Sequence, residues 1–198
     1  MPQRDARVRR MSIATAVLTA SLAMAPAAAP AMGVQCTGVT VRAHFAASPT
    51  GEAVTYDQAL VPEGSRVTVV EKRYGSGKDA RTSVSLRLSG LVPDRTYGAH
   101  VHTKPCGPKP NDSGPHYQNV PDPVQPSTDP AYANPRNEVW LDMKTDEDGR
   151  GSSTATVAWH VRYGEARSVV VHEHGTHTEP GQAGTAGARL ACVNVPLA

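Results

Sequence analysis

Short β-branched segments separated by glycine and proline are the feature of this sequence that most restricts its fold. Apolar and polar residues alternate within them, as in residues 67–70 and 84–88. A period of two buries one face of each segment, which predicts strands and no long amphipathic helix. The predicted strands are residues 39–45, 65–71, 83–88, 96–102, 139–145, 152–160, 168–172 and 190–195. Strands of this length and spacing predict an all-β, antiparallel sandwich or barrel.

The segments between the predicted strands are of two kinds. Residues 74–79 (YGSGKD) and 146–149 (DEDG) are typical of hairpin turns. Residues 105–135 are instead rich in proline, asparagine and aspartate, with little periodicity. A loop of this length is usually functional or disordered, and the presence of Cys106 and His116 in it favours function.

The first 31 residues have the composition of an export signal. Four arginines precede an apolar, alanine-rich run over residues 13–29, and Ala29-Pro30-Ala31 offers a small-residue cleavage site. We therefore predict a signal peptide at residues 1–31, a single domain at residues 32–198, and a location in the cell envelope or outside the cell. The alternative is a retained N-terminal anchor. The Arg9-Arg10 pair leaves the choice between the general and the twin-arginine export routes open.

Charge outside this leader is balanced. The leader holds four of the 20 basic and one of the 18 acidic residues, so residues 32–198 carry 16 basic and 17 acidic residues. This balance gives no nucleic-acid signature, and we predict no membrane span after the leader. Three cysteines in an exported domain favour one disulfide and one remaining thiol. Cys36 would then be free or would link two chains, which leaves the oligomeric state open.

Four histidines in three segments carry the chemical signal of this chain. His100 and His102 lie in GAHVHTKPCG, His116 in SGPHYQN and His172 in SVVVHEHG. Histidines at positions i and i+2 of a strand point to the same face, and two more from separate segments complete a set of four nitrogens. A single histidine is usually a structural residue. The combination of four predicts a copper site.

The order of these motifs resembles the copper/zinc superoxide dismutase family. GAHVH, CG followed by GPHY, VVVHE and AGARLAC stand as in that family, and the resemblance extends over roughly residues 36–195. It implies an antiparallel Greek-key β-sandwich or barrel with long functional loops. It also implies a disulfide between Cys106 and Cys192, which would tether the loop at residues 105–135 and fix Arg189 relative to the metal.

The resemblance also implies an activity. The counterparts of His100, His102, His116 and His172 bind copper, which disproportionates superoxide to dioxygen and hydrogen peroxide. Arg189, in AGARLAC, matches the arginine beside the copper and would attract and orient the anionic substrate. His116 matches the histidine that bridges copper and zinc. Arg189 and His116 are therefore the predicted catalytic residues.

The zinc half of the family pattern is missing from this chain. The family has two further histidines and an aspartate after the bridging histidine, but no histidine lies between His116 and His160 here. We therefore predict a site that binds copper without zinc, similar to the copper-only branch of the family. The second ring nitrogen of His116 then needs another partner, commonly a carboxylate. Glu138 and Asp142 are both candidates.

Residues 173–188 correspond to the loop that guides superoxide in the family. Glu173 and Glu179 are its only formal charges, so we expect weak guidance and a more open copper site. We expect His174 and His177 to be exposed loop residues. A secondary metal site is the alternative for this pair.

The predicted function is an exported, copper-dependent superoxide dismutase. The alternative is a non-enzymatic copper-binding or scavenging module on the same fold, because fold alone does not determine function. Arg189 favours the enzyme, since a copper store needs no arginine at an open metal face. A metal-free interaction domain ranks last because all four histidines are present.

Overall fold

Strands make up nearly all the regular structure of the computed structural model, which describes residues 37–49 and 51–197. Within these ranges the strands are Thr40–His44 (β1), Ala53–Thr55 (β2), Arg66–Tyr74 (β3), Arg81–Ser89 (β4), Thr96–His102 (β5), Met143–Lys144 (β6), Gly151–Val157 (β7), Ala166–His172 (β8) and Arg189–Leu197 (β9). Two 3-10 helices span Gly77–Asp79 and Pro110–Ser113. The predicted signal peptide and Cys36 lie outside the described residues. No helix in residues 37–49 and 51–197 is long and apolar enough to cross a membrane.

Two antiparallel sheets form the fold. The first has the order β1-β3-β4-β7 and the second the order β2-β9-β8-β5-β6. Named strands pair antiparallel throughout, and the chain changes sheet repeatedly along its length. This arrangement confirms the predicted all-β, antiparallel Greek-key sandwich.

The inward faces of the two sheets form one hydrophobic core. Its central members are Val67, Val69, Val84, Leu86 and Leu88 from the first sheet and Tyr97, Ala99, Val101, Val169 and Val171 from the second. Burial of a valine or leucine side chain contributes about 1.5–3 kcal/mol. A slip of one residue would turn these side chains to solvent, so the alternation predicted for β3 and β4 sets their register.

The same alternation directs the histidines away from the core. On β5, Ala99 and Val101 face the first sheet, so His100 and His102 face outward. They are nevertheless buried, because the connections at residues 103–142 and 173–188 cover this outer face of the second sheet. The site is therefore built between the sheet and its two long loops.

Several segments differ from the prediction. β2 was not predicted, because three residues are too few to show an alternation. The predicted strand at residues 139–145 is a strand only at Met143–Lys144. The hairpin at residues 74–79 is confirmed, since it joins the paired strands β3 and β4. The predicted hairpin at residues 146–149 is not formed. β6 pairs with β5 and β7 with β4, so this turn connects the two sheets.

Candidate metal centre

Four histidine side chains meet on the outer face of the second sheet. His100, His102, His116 and His172 each offer one ring nitrogen such that the four atoms all lie within 4.8 Å of one another. Nitrogens bound to one metal ion at about 2.0–2.1 Å are at most about 4.2 Å apart. The group therefore has nearly the dimensions of a four-coordinate site before any ion is added.

The sheet and one loop position these rings. His172, at the end of β8, pairs across the sheet with Gly98 of β5. A Cβ atom on Gly98 would lie 2.6 Å from the carbonyl oxygen of His174, so only glycine lets the loop at residues 173–188 approach here. His116 belongs to the long loop, but it forms an isolated antiparallel bridge with His102. The loop histidine is thus held beside β5 as a strand residue would be.

The hydrogen bonds of His102 determine which of its nitrogens faces the centre. Its Nδ1 lies 2.9 Å from the carbonyl oxygen of Gly114. A carbonyl only accepts hydrogen bonds, so Nδ1 carries the proton. The unprotonated Nε2 lies 3.3 Å from Nε2 of His172, a separation that two ligands of one ion can adopt.

His100 is oriented by Thr176 and, through it, by Asp142. The Asp142 carboxylate accepts from the Thr176 hydroxyl at 2.7 Å and from the Thr176 amide at 2.7 Å. Because the hydroxyl proton is donated to Asp142, Oγ1 accepts from Nε2 of His100, which lies 2.7 Å away. The other nitrogen of His100, Nδ1, is buried and has no hydrogen-bond partner. A buried polar atom without a partner is costly, and a metal ion would satisfy this one.

Glu138 is the partner of His116. Its Oε2 accepts from Nδ1 of His116 at 2.9 Å and from the indole of Trp140 at 2.7 Å. Its Oε1 accepts from Gln118 at 2.7 Å, and the residue is only 1% exposed. Sequence analysis left Glu138 and Asp142 open for this position. The contacts place Glu138 there, and Asp142 serves His100 instead.

Three of the rings, those of His100, His102 and His172, are held in the neutral form. Burial, with a smaller contribution from the nearby His116, lowers the pKa of His100 and of His102 well below the ordinary value of 6.5. Burial lowers the pKa of His172 to about 3, and His116 and Arg189 add to this effect. Neutral imidazole is the form that binds metal, so these three rings need no deprotonation at neutral pH.

Arg189 lies beside the histidines at the start of β9, where it pairs with His172. Its Nη1 donates to the hydroxyl of Ser113 at 2.8 Å and to the carbonyl of Pro110 at 3.2 Å. Burial lowers the pKa of the guanidinium below its ordinary value, but an arginine side chain stays charged in proteins. The 3-10 helix at Pro110–Ser113 thus holds a fixed positive charge next to the centre.

A disulfide ties that helix to the sheet. Cys106, in the long loop, is bonded to Cys192 of β9. The amide of Cys106 also donates to the Asn194 side chain at 2.8 Å. The loop that carries His116 and Ser113 is therefore attached to the strand that carries Arg189.

A cavity of about 170 Å³ opens onto the centre, and His116, Glu138, His172 and Arg189 are among its lining residues. Arg189 is the only cation in this lining, and Glu138 is the only carboxylate. Both oxygens of Glu138 already accept hydrogen bonds inside the protein. The charge that the cavity offers to an incoming anion is therefore that of Arg189.

The other histidines lie apart from this centre. Nε2 of His160 lies 3.0 Å from the carbonyl oxygen of Tyr74, a structural contact. The rings of His174 and His177 are 5.1 Å apart near the surface. In the part of the chain that the structure describes, the four-histidine group is the only set of three or more potential ligands close enough to share an ion.

Comparison with known proteins agrees with the geometry of the site. The family model of copper/zinc superoxide dismutase matches residues 65–195. The chain belongs to the copper/zinc superoxide dismutase family. No curated protein matches it closely enough to be counted as a relative.

Solved structures show the fold of this superoxide dismutase family member. The copper/zinc superoxide dismutase of Brucella abortus matches with a TM-score of 0.51 and 23% identity, over 81% of this chain and 99% of that one. A double mutant of a superoxide dismutase-like protein from Bacillus subtilis matches with a TM-score of 0.50 and 18% identity, over 76% of this chain and 100% of that one. At these identities the likeness concerns the fold alone.

Sequence reasoning missed the residues that orient the ligands of this superoxide dismutase-like site. Thr176, Gln118, Trp140 and Ser113 each contact a candidate ligand or its carboxylate or arginine partner. Hydroxyl and amide side chains in loops have no period or spacing that marks them. Only the three-dimensional contacts identify them.

Proposed function

We propose that this protein is a copper-dependent superoxide dismutase in which His100, His102, His116 and His172 bind copper and Arg189 binds the substrate. The observation that carries this proposal is the buried, unpartnered Nδ1 of His100 within a group of four imidazoles beside a fixed cation. A set of imidazole nitrogens suits copper. Bound copper would supply the one-electron couple by which one superoxide is oxidised to dioxygen and a second is reduced, with two protons, to hydrogen peroxide.

Arg189 attracts superoxide and orients it. Its hydrogen bonds to Ser113 and Pro110 both use Nη1. In the described residues no other acceptor takes a hydrogen bond from this guanidinium, so its remaining N–H groups can face the cavity. A charge held in place costs little reorganisation when the anion arrives.

His116 moves a proton in this proposal. Glu138 holds the proton on Nδ1, so any further proton taken up by the ring must bind Nε2. His116 is the least buried of the four histidines and lines the cavity. A proton on Nε2 would therefore be released where the reduced product leaves.

We also propose that this site works without zinc. Glu138, held by Gln118 and Trp140, accepts from Nδ1 of His116, the residue that matches the histidine bridging copper and zinc in the family. A carboxylate there fixes the ring as a metal would and keeps it oriented.

Export through a signal peptide at residues 1–31, to the cell envelope or beyond it, is part of the same proposal. Structural disulfides persist in oxidising compartments, and the Cys106–Cys192 bond supports this location.

The decisive test is the rate of superoxide disproportionation per bound copper. The purified, disulfide-intact protein would be loaded with copper and no zinc. We expect a rate well above that of free copper, reduced at least tenfold in Arg189→Gln and less in Arg189→Lys, at unchanged copper content. A wild-type rate no greater than that of free copper would contradict the enzyme and favour a copper-binding module.

A further inference from the structure

The outer face of the first sheet carries a concentration of positive charge. The strand register places Arg42, Thr68 and Arg87 in one row across β1, β3 and β4. His44 and Arg66 lie side by side in the adjacent row. Residues that alternate with them along these strands form the core, so these side chains point to solvent.

The three arginines of this face have no counter-ion. In residues 37–49 and 51–197, no carboxylate pairs with the guanidinium of Arg42, Arg66 or Arg87 and no group accepts a hydrogen bond from one. The register makes Arg66 and Arg87 diagonal neighbours on the same face. Like charges so placed repel each other, so the folded state gains nothing from the arrangement.

These charges border a groove with a volume of about 670 Å³. Its charged lining residues are Arg66, Arg87, Lys144, Arg150 and Asp146. Its polar lining residues are Thr68, Ser89, Thr145 and Ser152. Lys144 pairs with Asp94 and Arg150 with Asp148, both carboxylates outside the lining, so Arg66 and Arg87 are the cations of the groove without a carboxylate partner in the described residues. We call the groove and the three unpaired arginines the basic face.

The basic face does not simply reflect a basic chain. Residues 32–198 hold 16 basic and 17 acidic residues. Five of these basic residues, Arg42, Arg66, Arg87, Lys144 and Arg150, belong to the basic face, whereas Asp146 is the one carboxylate in the groove lining. Such a separation of charge creates a local positive potential that attracts anions.

We propose that the basic face is a docking surface for a linear, phosphate-bearing polyanion. Guanidinium groups form forked hydrogen bonds with phosphate oxygens. The backbones of Arg42 and Arg87 are two strand spacings apart, about 10 Å, and the groove continues to Arg150 beside β7, about one spacing further, so one phosphate cannot contact all of these cations. A polymer with repeated phosphates can engage both and continue into the groove.

The polar character of the surface favours a hydrated polymer over a lipid bilayer. The large hydrophobic side chains exposed in the described part of the chain are Val120, Val124 and Tyr163, and none of them lies on β1, β3, β4 or β7. The basic face therefore has no apolar group to insert among lipid chains.

Docking here would leave the histidine site accessible. The four histidines lie on the outer face of the second sheet, whereas Arg42, Arg66 and Arg87 lie on the outer face of the first, with the hydrophobic core between them. The protein could thus be held on a polymer while its cavity stays open. The proposal is independent of the metal chemistry.

Long-chain inorganic polyphosphate is the probe for this proposal. Binding of the whole protein to fluorescently labelled polyphosphate would be measured by anisotropy at low and at physiological salt. The test variant carries Arg42→Gln, Arg66→Gln and Arg87→Gln. The control carries Lys78→Gln, Arg136→Gln and Arg167→Gln, which removes the same charge from exposed positions outside the basic face. Lys78 lies in the hairpin at the far end of β3.

We expect the test variant to lose at least tenfold in affinity and the control to stay within about twofold. The logarithm of the binding constant falls linearly with the logarithm of the salt concentration, and each phosphate contact adds about 0.9 to the steepness of this slope for duplex DNA and about 0.7 for single strands. The slope should therefore be less steep by about two to three in the test variant. Melting temperature and copper content should be equal in all three proteins. Equal loss in both variants, no binding at low salt, or binding only to vesicles of anionic phospholipid would each overturn the proposal.

Discussion

At the scale of single residues, the geometry of this site depends on which ring nitrogen of each histidine carries the proton. A histidine can present either nitrogen to a metal, and the partner of the other nitrogen decides which. Here Gly114, Glu138 and the Thr176 hydroxyl each hold one N–H, and the opposite nitrogen faces the centre. The orienting groups determine ligand geometry as much as the ligands do.

Thr176 gives a residue-scale prediction. Replacing Thr176 with Val keeps the shape but removes the oxygen that accepts from Nε2 of His100. We expect copper affinity to fall about 10- to 100-fold, the usual cost of losing such a partner. Competition with a copper chelator measures this loss.

Thr176→Ser is the matched control, because it keeps the hydroxyl and should retain most of the affinity. Equal copper affinity in Thr176→Val and the wild type would show that Thr176 does not orient His100.

At the scale of elements, the sheet and the long loop contribute differently to the site. β5 and β8 carry His100, His102 and His172 on a rigid face. The loop supplies His116 and the Ser113 that holds Arg189, and the Cys106–Cys192 disulfide attaches it to β9. Three of the ligands therefore depend on the core, whereas the position of Arg189 also depends on the attachment of the loop.

Removal of the disulfide tests whether the attachment of the loop matters more for Arg189 than for the copper ligands. A Cys106→Ala, Cys192→Ala variant opens a cross-link between residues 86 positions apart. We expect a loss of roughly 2–5 kcal/mol in the free energy of unfolding, as for other native disulfides, measured by urea denaturation. Copper content should be nearly unchanged while the dismutation rate per copper falls severalfold. Loss of copper in proportion to loss of activity would show that the copper ligands depend on the loop attachment as much as Arg189 does.

At the scale of the whole molecule, the sandwich separates two faces with different chemistry. One outer face holds the histidine site under loops, with His100, His102 and His172 buried, and the other holds exposed arginines on bare strands. Both follow from strand alternation around one core. The buried face makes the stability of the metal-free protein depend on pH.

The sign of that dependence follows from the lowered pKa values. His100, His102 and His172 stay neutral in the folded protein well below pH 6.5, but they take up protons in the unfolded chain. Stability is complete above about pH 6.5 and decreases as the pH falls towards the folded pKa, about 3 for His172. Each such histidine contributes a slope of about 1.4 kcal/mol per pH unit.

Urea denaturation of the metal-free protein between pH 6 and 4.5 measures how the free energy of unfolding changes with pH, and His172→Gln should lower this slope by about 1.4 kcal/mol per pH unit. The comparison with the variant removes the contribution of the carboxylates, which titrate in both proteins. An unchanged slope in His172→Gln would show that His172 is not held neutral by the fold.

The sequence alone determined the strands and the ligand types, because both are local properties. Alternation in β3, β4 and β5 reports burial directly, and the histidine motifs lie within a few residues of one another or of a strand. β2 was not predicted, and β6 is much shorter than the predicted strand at residues 139–145. Their pairing depends on neighbours far along the chain.

Only the tertiary structure decided which groups support the ligands. Glu138 and Asp142 look equivalent in sequence, yet one reaches His116 and the other acts on His100 through Thr176. The basic face is equally invisible in a chain with balanced charge, since strand pairing alone brings Arg42, Arg66 and Arg87 to one side. Hydrogen bonds and charge clusters require proximity in space, which residue order does not encode locally.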